Sequence, residues 1–203
     1  MRRRSNAPRP VVLVVPVVLA VLAVLSPVHS LAAETLTFTL DPATTTIEFG
    51  FGATLHSVEG TLRAKEGKIE FDPETGKASG RIVIDATSAK TGNSRRDAKM
   101  HEKILESPKY PEWTYTVERV SGTLNRAGRS DVELHGTLDM HGVRRPLDLV
   151  GTVKIDGGRV TGVGRVTIPY LEWGMADPSA FVLRVEKEVH VEVRAAGTLS
   201  SVQ

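Results

Sequence analysis

Fourteen consecutive residues, Phe181 to Arg194 (FVLRVEKEVHVEVR), alternate almost strictly between apolar and polar side chains. Phe181, Leu183, Val185, Val189, Val191 and Val193 share one parity; Arg184, Glu186, Glu188, His190, Glu192 and Arg194 share the other, with Val182 and Lys187 as exceptions. Successive side chains of a strand point to opposite faces, so the run reads as one long strand with a dry side and a wet side. A chain built from many such strands has to close on itself or pair into layers.

The same pattern recurs from residue 36 onward. Leu36, Phe38 and Leu40 alternate with threonines before an Asp41-Pro42 turn, and Ile47, Phe49 and Phe51 follow. Val58, Gly60, Leu62 and Ala64 lead to Ile69 and Phe71, then to the turn Asp72-Pro73-Glu74-Thr75-Gly76. Further strands carry Gly80, Ile82, Ile84 and Ala86; Trp113, Tyr115 and Val117; Val132 to Met140; Leu147 to Ile155; and, after Asp156-Gly157-Gly158, Val160 to Ile168. About eight strands at this spacing specify an all-β domain. Parallel pairing needs a long crossover for each strand, and only one segment has room for a helix, so the strands are antiparallel and run up and down. That segment is Thr91 to Pro108, in which Ser94 and Asp97 have capping-box spacing. Met100 and Ile104, and His101 and Leu105, share one side of a short amphipathic helix.

Ahead of these strands, Arg2, Arg3, Arg4 and Arg9 precede an apolar run from Val11 to Leu25, and Ser30-Leu31-Ala32 has the small-x-small form of a cleavage site. Residues 1–32 therefore read as a secretory signal cut after Ala32, which leaves 33–203 as one barrel domain addressed to the periplasm or to full secretion. The whole chain has 26 basic and 24 acidic residues; four basic ones lie in the leader and no acidic one does, so the remainder carries a net charge of −2. That balance argues against nucleic acid as a partner. There is no cysteine, so an exported domain of this kind relies on its core and its ladders without disulfides.

In order along the chain, Asp41-Pro42 with Ile47-Glu48-Phe49, Gly67-Lys68-Ile69-Glu70-Phe71-Asp72-Pro73, Thr91-Gly92-Asn93 with Arg96-Asp97, Lys109-Tyr110-Pro111, and Gly136-Thr137-Leu138-Asp139-Met140-His141-Gly142-Val143 ending in Pro146 resemble the YceI-like, polyisoprenoid-binding family of exported bacterial proteins. The resemblance spans Leu36 to Val193 and implies a lipocalin-like antiparallel barrel that holds a long isoprenoid or related lipid chain. The stretch Tyr170 to Ser179 departs from the commoner pattern and leaves the shape of one barrel mouth open.

The residues bear on the same question separately. A barrel of about eight strands is just wide enough to be filled by side chains or to hold one small ligand. The expected inward positions include Gly60, Ala64, Gly80, Ala86, Gly136 and Gly151. Such glycines either leave room for a ligand or relieve bending of the strands. On the hollow reading, Phe49, Phe51, Ile82, Ile84, Trp113, Tyr115, Leu138, Leu149 and Phe181 line the lipid site. At the mouth, Arg96 and Asp97 either hold a head group or anchor the helix; Lys187 marks a strand entry or meets an anionic head; Trp173 gates or packs.

No catalytic motif and no cofactor site emerges. His135 and His141 stand roughly 20 Å apart along an extended strand, too far to share a metal, and the other histidines after the leader are isolated in sequence. The expectation is a non-enzymatic carrier, a monomer or homodimer making transient membrane contact. The alternative is a solid barrel that serves as an envelope-stress or partner-binding module.

Overall fold

The computed structural model describes residues 34–54, 56–179 and 184–201. Residues 1–33, which contain the expected signal, and Phe181 lie outside the described residues.

Nine strands form one antiparallel sheet: β1 (Leu36–Leu40), β2 (Thr46–Ala53), β3 (His56–Phe71), β4 (Ala78–Lys90), β5 (Glu112–Gly122), β6 (Gly128–Met140), β7 (Val143–Asp156), β8 (Arg159–Ile168) and β9 (Val189–Ser201). Each strand from β2 to β9 pairs with the next in sequence. The sheet closes because β1 and β2 lie end to end in one lane between β3 and β9. Nine strands thus make an eight-lane, up-and-down barrel, the lipocalin-like architecture expected from the alternation.

The break in the shared lane is built by its sequence. Asp41 accepts hydrogen bonds from the Ala43 N–H (3.0 Å) and the Thr44 hydroxyl (2.7 Å), which folds the chain into an Asx turn. The Asp41 N–H donates to the Ala196 carbonyl (2.8 Å), and Thr45, buried here, exchanges hydrogen bonds with Ala196. The turn therefore stays fastened to β9. Asp72 repeats the device between β3 and β4, accepting from the Glu74 N–H (2.8 Å) and the Thr75 hydroxyl (2.7 Å).

Two bulges keep the long strands in phase with the core. The β3–β4 register shifts between Ala64 and Glu66, so Leu62 and Ala64 are followed inward by Gly67, Ile69 and Phe71. The β5–β6 register shifts between Val117 and Arg119, and the inward series passes from Val117 to Val120. An extra residue bends a strand and increases its twist, as a closed barrel of long strands requires.

One barrel end carries the helix and the other only turns. At the helix end, α1 (Ser94–Lys99) widens into a π-helical turn over Met100–Ile104, closed by the Leu105 N–H donating to the Met100 carbonyl (2.9 Å). Its N-cap is Asn93, not Ser94: the Asn93 side chain accepts from the Arg96 N–H (3.1 Å), and Asp97 turns instead to Thr91. His101 pins the π turn to the wall, one ring nitrogen meeting the Ser107 hydroxyl and the other the Ala89 carbonyl, each at 2.8 Å. The 3-10 turn Tyr170–Trp173 lies between β8 and β9. Leu105, Met140, Tyr170, Trp173 and Met175 are all buried, so this end is packed solid. At the turn end, Arg126 of the β5–β6 loop pairs with Glu34 ahead of β1, and Leu124 of the same loop faces inward.

The strand expected over Phe181 to Arg194 starts later and runs further, from Val189 to Ser201. Val185 makes only an isolated bridge to Ala53, and Glu186 turns its carboxylate to the Gly52 N–H (2.6 Å). Lys187 leaves the ladder for an ion pair with Asp177. The alternation at 184–188 thus belongs to a chain that reaches the barrel rim before it joins the wall.

Three glycines are covered by rings of the protein itself. A Cβ at Gly60 would overlap the Phe49 ring, one at Gly197 would come within 2.6 Å of the Phe38 ring, and one at Gly136 would lie 3.1 Å from Tyr115 Cζ and collide with the Thr116 carbonyl oxygen. Of the glycines expected to leave room, Gly60 and Gly136 therefore seat rings, whereas Gly151 lines the interior cavity. Gly136→Ala is therefore expected to destabilise the barrel by about 3 kcal/mol, the upper range for overpacking a well-fitted core. Urea unfolding followed by tryptophan fluorescence would measure it.

Candidate ligand-binding cavity

Alternation places one side chain in two from every lane inside the barrel, and those side chains are almost all aliphatic or aromatic. Where large residues meet, they pack; where β7, β8 and β9 contribute Val153, Gly162, Val193 and Ala195, they leave space. The result is an apolar interior cavity of about 210 Å³. It reaches from Phe38, Leu124 and Leu199 near the turn end to Trp113, Leu138 and Ile168 towards the helix end.

Six of the residues singled out in the sequence face this space: Ile82, Ile84, Trp113, Tyr115, Leu138 and Leu149. Phe49 and Phe51 are not among its walls. Phe49 is buried over Gly60, and Phe51 is partly buried against the core near the end of β2. The sequence reading missed Val191, Val193, Leu134, Leu147, Ile168 and Leu199, which complete the wall. The alternation had already put Val191 and Val193 on the dry face; weighting bulky residues over small ones hid them.

Tyr115 and Trp113 bring polar groups to this interior. The Tyr115 hydroxyl donates across the β6 wall and lies 2.8 Å from the Leu134 carbonyl and 2.9 Å from the Leu147 carbonyl. Burial, with Asp148 and Glu118 nearby, pushes its pKa up, so it stays a neutral donor. Trp113 is 8 % exposed, and its indole N–H meets no acceptor among the described residues.

The residues expected at a mouth are occupied otherwise. The Arg96 guanidinium donates to the Thr91 hydroxyl (2.7 Å) and carbonyl (3.1 Å), and the Asp97 carboxylate accepts from the Thr91 N–H (2.9 Å) and hydroxyl. Arginine, aspartate and threonine thus tie the helix to the end of β4, the anchoring arrangement rather than a free head-group cradle. Trp173 is 2 % exposed and donates from Nε1 to the Leu138 carbonyl (3.1 Å), so it is packed into the helix end. Lys187 stands ahead of β9, outside the cavity wall, paired with Asp177 and 3.3 Å from the Ser179 hydroxyl.

His135 and His141 occupy different settings. His135, on β6, lies 2.8 Å from the Ser121 hydroxyl through Nε2 and 3.1 Å from Asp148 through Nδ1, with Glu133 beside it at 3.9 Å. Glu133, His135 and Asp148 bring donor atoms within 4.8 Å of one another. The imidazole nitrogens already address separate partners, which suits a hydrogen-bonded row along the outer wall. His141 sits in the β6–β7 turn with φ 54°, its ring 4.4 Å from that of Tyr110 and Nε2 2.9 Å from the Glu106 carboxylate. It is buried, with the Glu106 carboxylate as its charged neighbour.

A closed eight-lane, up-and-down antiparallel barrel with an apolar interior defines the lipocalin-like class of β-barrel. Within that class, the chain matches the family model described as the YceI-like domain over residues 38–196 and belongs to that family. A UPF0312 protein of Pseudomonas putida (strain GB-1) is 25% identical over 144 residues, which cover 66% of this chain and 72% of that protein. A UPF0312 protein of Pseudomonas savastanoi pv. phaseolicola is 28% identical over 104 residues, 49% of this chain and 51% of its own length. Among solved structures, Burkholderia cenocepacia BcnA superposes with a TM-score of 0.64 at 17% identity, covering 78% of this chain and 99% of its own. A polyisoprenoid binding domain from Saccharophagus degradans, implicated in plant cell wall breakdown, gives 0.63 at 19% identity, covering 80% and 98%. At these identities the two structures establish the fold.

Lys187, with the Ser179 N–H, holds the Asp177 carboxyl down at about 2. A depressed acid stabilises the folded loop above the unfolded pKa of about 4 and loses that contribution as pH falls. The Val185 N–H, which donates to the Ser179 hydroxyl (3.0 Å), reports on this tether. Its amide resonance is expected to titrate with a midpoint near 2, and Asp177→Asn should abolish that transition.

Proposed function

We propose that the barrel is a non-enzymatic carrier that binds one apolar chain, a polyisoprenoid or similar lipid, in the cell envelope. The observation that carries this reading is the interior cavity, whose walls are built from aliphatic and aromatic side chains. Membership of the YceI-like family supports it, as does the shared fold with a polyisoprenoid binding domain. The arginine-flanked apolar leader supports export to the periplasm or beyond.

Magnitudes refine the reading. A cavity of about 210 Å³ encloses a short apolar segment, and each methylene buried there gains about 0.8 kcal/mol before any cost of association. A longer chain fits by displacing side chains or by continuing beyond the cavity.

The rings seated over Gly60, Gly136 and Gly197 favour a second reading, a self-filled barrel that acts through a partner. Lipid extraction separates the two. Protein purified from its native envelope, extracted with chloroform–methanol and analysed by mass spectrometry, is expected to yield one apolar lipid per chain. The stripped protein should bind the neutral fluorophore N-phenyl-1-naphthylamine. Ile84→Trp, which fills the cavity, should weaken that binding at least tenfold while far-UV circular dichroism stays unchanged. No extracted lipid together with no fluorophore uptake would reject the carrier and leave the partner-binding module.

A further inference from the structure

Resting on the carrier reading, we propose that the ligand enters and leaves through the side of the barrel, between β7 and β8, and that the head group seated there is uncharged. The ladder joining these strands runs from Asp156–Arg159 to Val150–Arg165 and stops. Beyond that point β7 stays paired with β6 down to Val143, and β8 stays paired with β9 up to Ile168–Val189. Each strand keeps one neighbour while the two part from each other. The wall therefore has a slit on its helix-end half, bordered by Leu147 and Asp148 on one side and Val166 and Thr167 on the other.

Inward residues on both sides of the slit are partly buried, as are Phe38 and Leu199 at the turn end and Ile82 and Ile84 across the barrel. At the turn end Leu36, Phe71, Ile155 and Val160 are buried, and at the helix end Trp173 and Met175 are buried. Leu147, Val166, Ile168 and Val191 are only partly buried. Leu147, Val166 and Val191 line the interior cavity and also border a second pocket that is open to solvent. That second pocket touches inward residues such as Phe49 and outward ones such as Glu48, Arg165 and Glu192. The residues shared by the interior and the exterior pocket mark where the two approach each other, beside the end of the β7–β8 ladder. Unpaired backbone groups along a slit are tolerated where water or ligand can reach them.

The rim selects the head group. Glu48, Glu59, Asp148 and Glu192 border the open pocket with Arg165, which Glu192 holds at 2.7 Å; Arg194 beside them pairs with both Glu192 and Glu48 (3.9 Å), so the rim keeps an excess of two carboxylates. An acidic rim repels a phosphate or pyrophosphate. It suits a neutral head, such as an alcohol or a carbonyl, that hydrogen-bonds to Thr167, His190 or free backbone groups. A tail too long for 210 Å³ then has a path outward with its head at the surface.

The chain has no cysteine, so Asp148→Cys with Thr167→Cys, joined by a short bismaleimide, would close the slit specifically. Lys154→Cys with Thr161→Cys, on the paired part of the same strands, provides the matching staple elsewhere. Stopped-flow fluorescence is expected to show N-phenyl-1-naphthylamine entering and leaving the first stapled protein at least tenfold more slowly than the same protein unstapled. The second staple should leave both rates unchanged. In the unmodified protein, geranylgeraniol should displace the fluorophore at a concentration at least tenfold below that of geranylgeranyl monophosphate. Glu48→Gln with Glu192→Gln should narrow that ratio. Unchanged exchange through the closed slit would overturn the side entry while leaving the carrier standing. Equal competition by alcohol and phosphate would overturn the neutral head, and that comparison needs no substitution. A protein that binds neither ligand nor fluorophore would refute both proposals.

Discussion

Closure of the hydrogen-bond ladder is the condition on which everything else in this fold depends. An open sheet of these strands would present two edges to water and to other chains. Here β3 and β9 are brought together by a lane assembled from two short strands, β1 and β2, with the Asp41 turn between them. Once the lanes are joined, alternation directs one residue in two into a shared interior, and the bulges in β3 and β5 keep the long strands in step with it. Without cysteines, that closure and the packing it encloses hold the domain.

The interior is a compromise between filling and emptiness. Phe49, Tyr115 and Phe38 lie over glycines on neighbouring strands, so backbone and ring together occupy what either would leave vacant. Gly162 on β8 seats no ring and lines the cavity together with Val153, Val193 and Ala195. Every strand of the barrel contributes to the wall of the space that remains.

Much of this architecture was legible in the sequence. Period-2 alternation marked the strands, Asp-Pro-x-Thr marked two turns, and the Thr91–Pro108 interruption marked the helix. The limits appeared where alternation and pairing separate. Residues 184–188 keep the pattern of a strand, yet they make only one short bridge, Val185 opposite Ala53, before Lys187 turns to Asp177. Of the cavity residues, Trp113, Tyr115, Leu138 and the isoleucines of β4 were recoverable as bulky inward side chains. The role of Phe49 was not, because its ring covers a glycine that only the register with β3 brings opposite. Nor does any local pattern reveal that β7 and β8 part, since each remains an ordinary strand on its other side.

The two-piece lane has a bearing on how the domain tolerates trimming. Leu36–Leu40 forms a detachable slat held along both of its sides, by Phe71 to Lys68 and by Ser201 to Gly197. Were that slat absent, two antiparallel edges would flank a vacant slot of strand width, a template that the equivalent segment of another molecule could occupy by exchange. Processing upstream of Leu36 is therefore compatible with a self-contained molecule, and processing within the slat converts the clasp into a site of domain swapping.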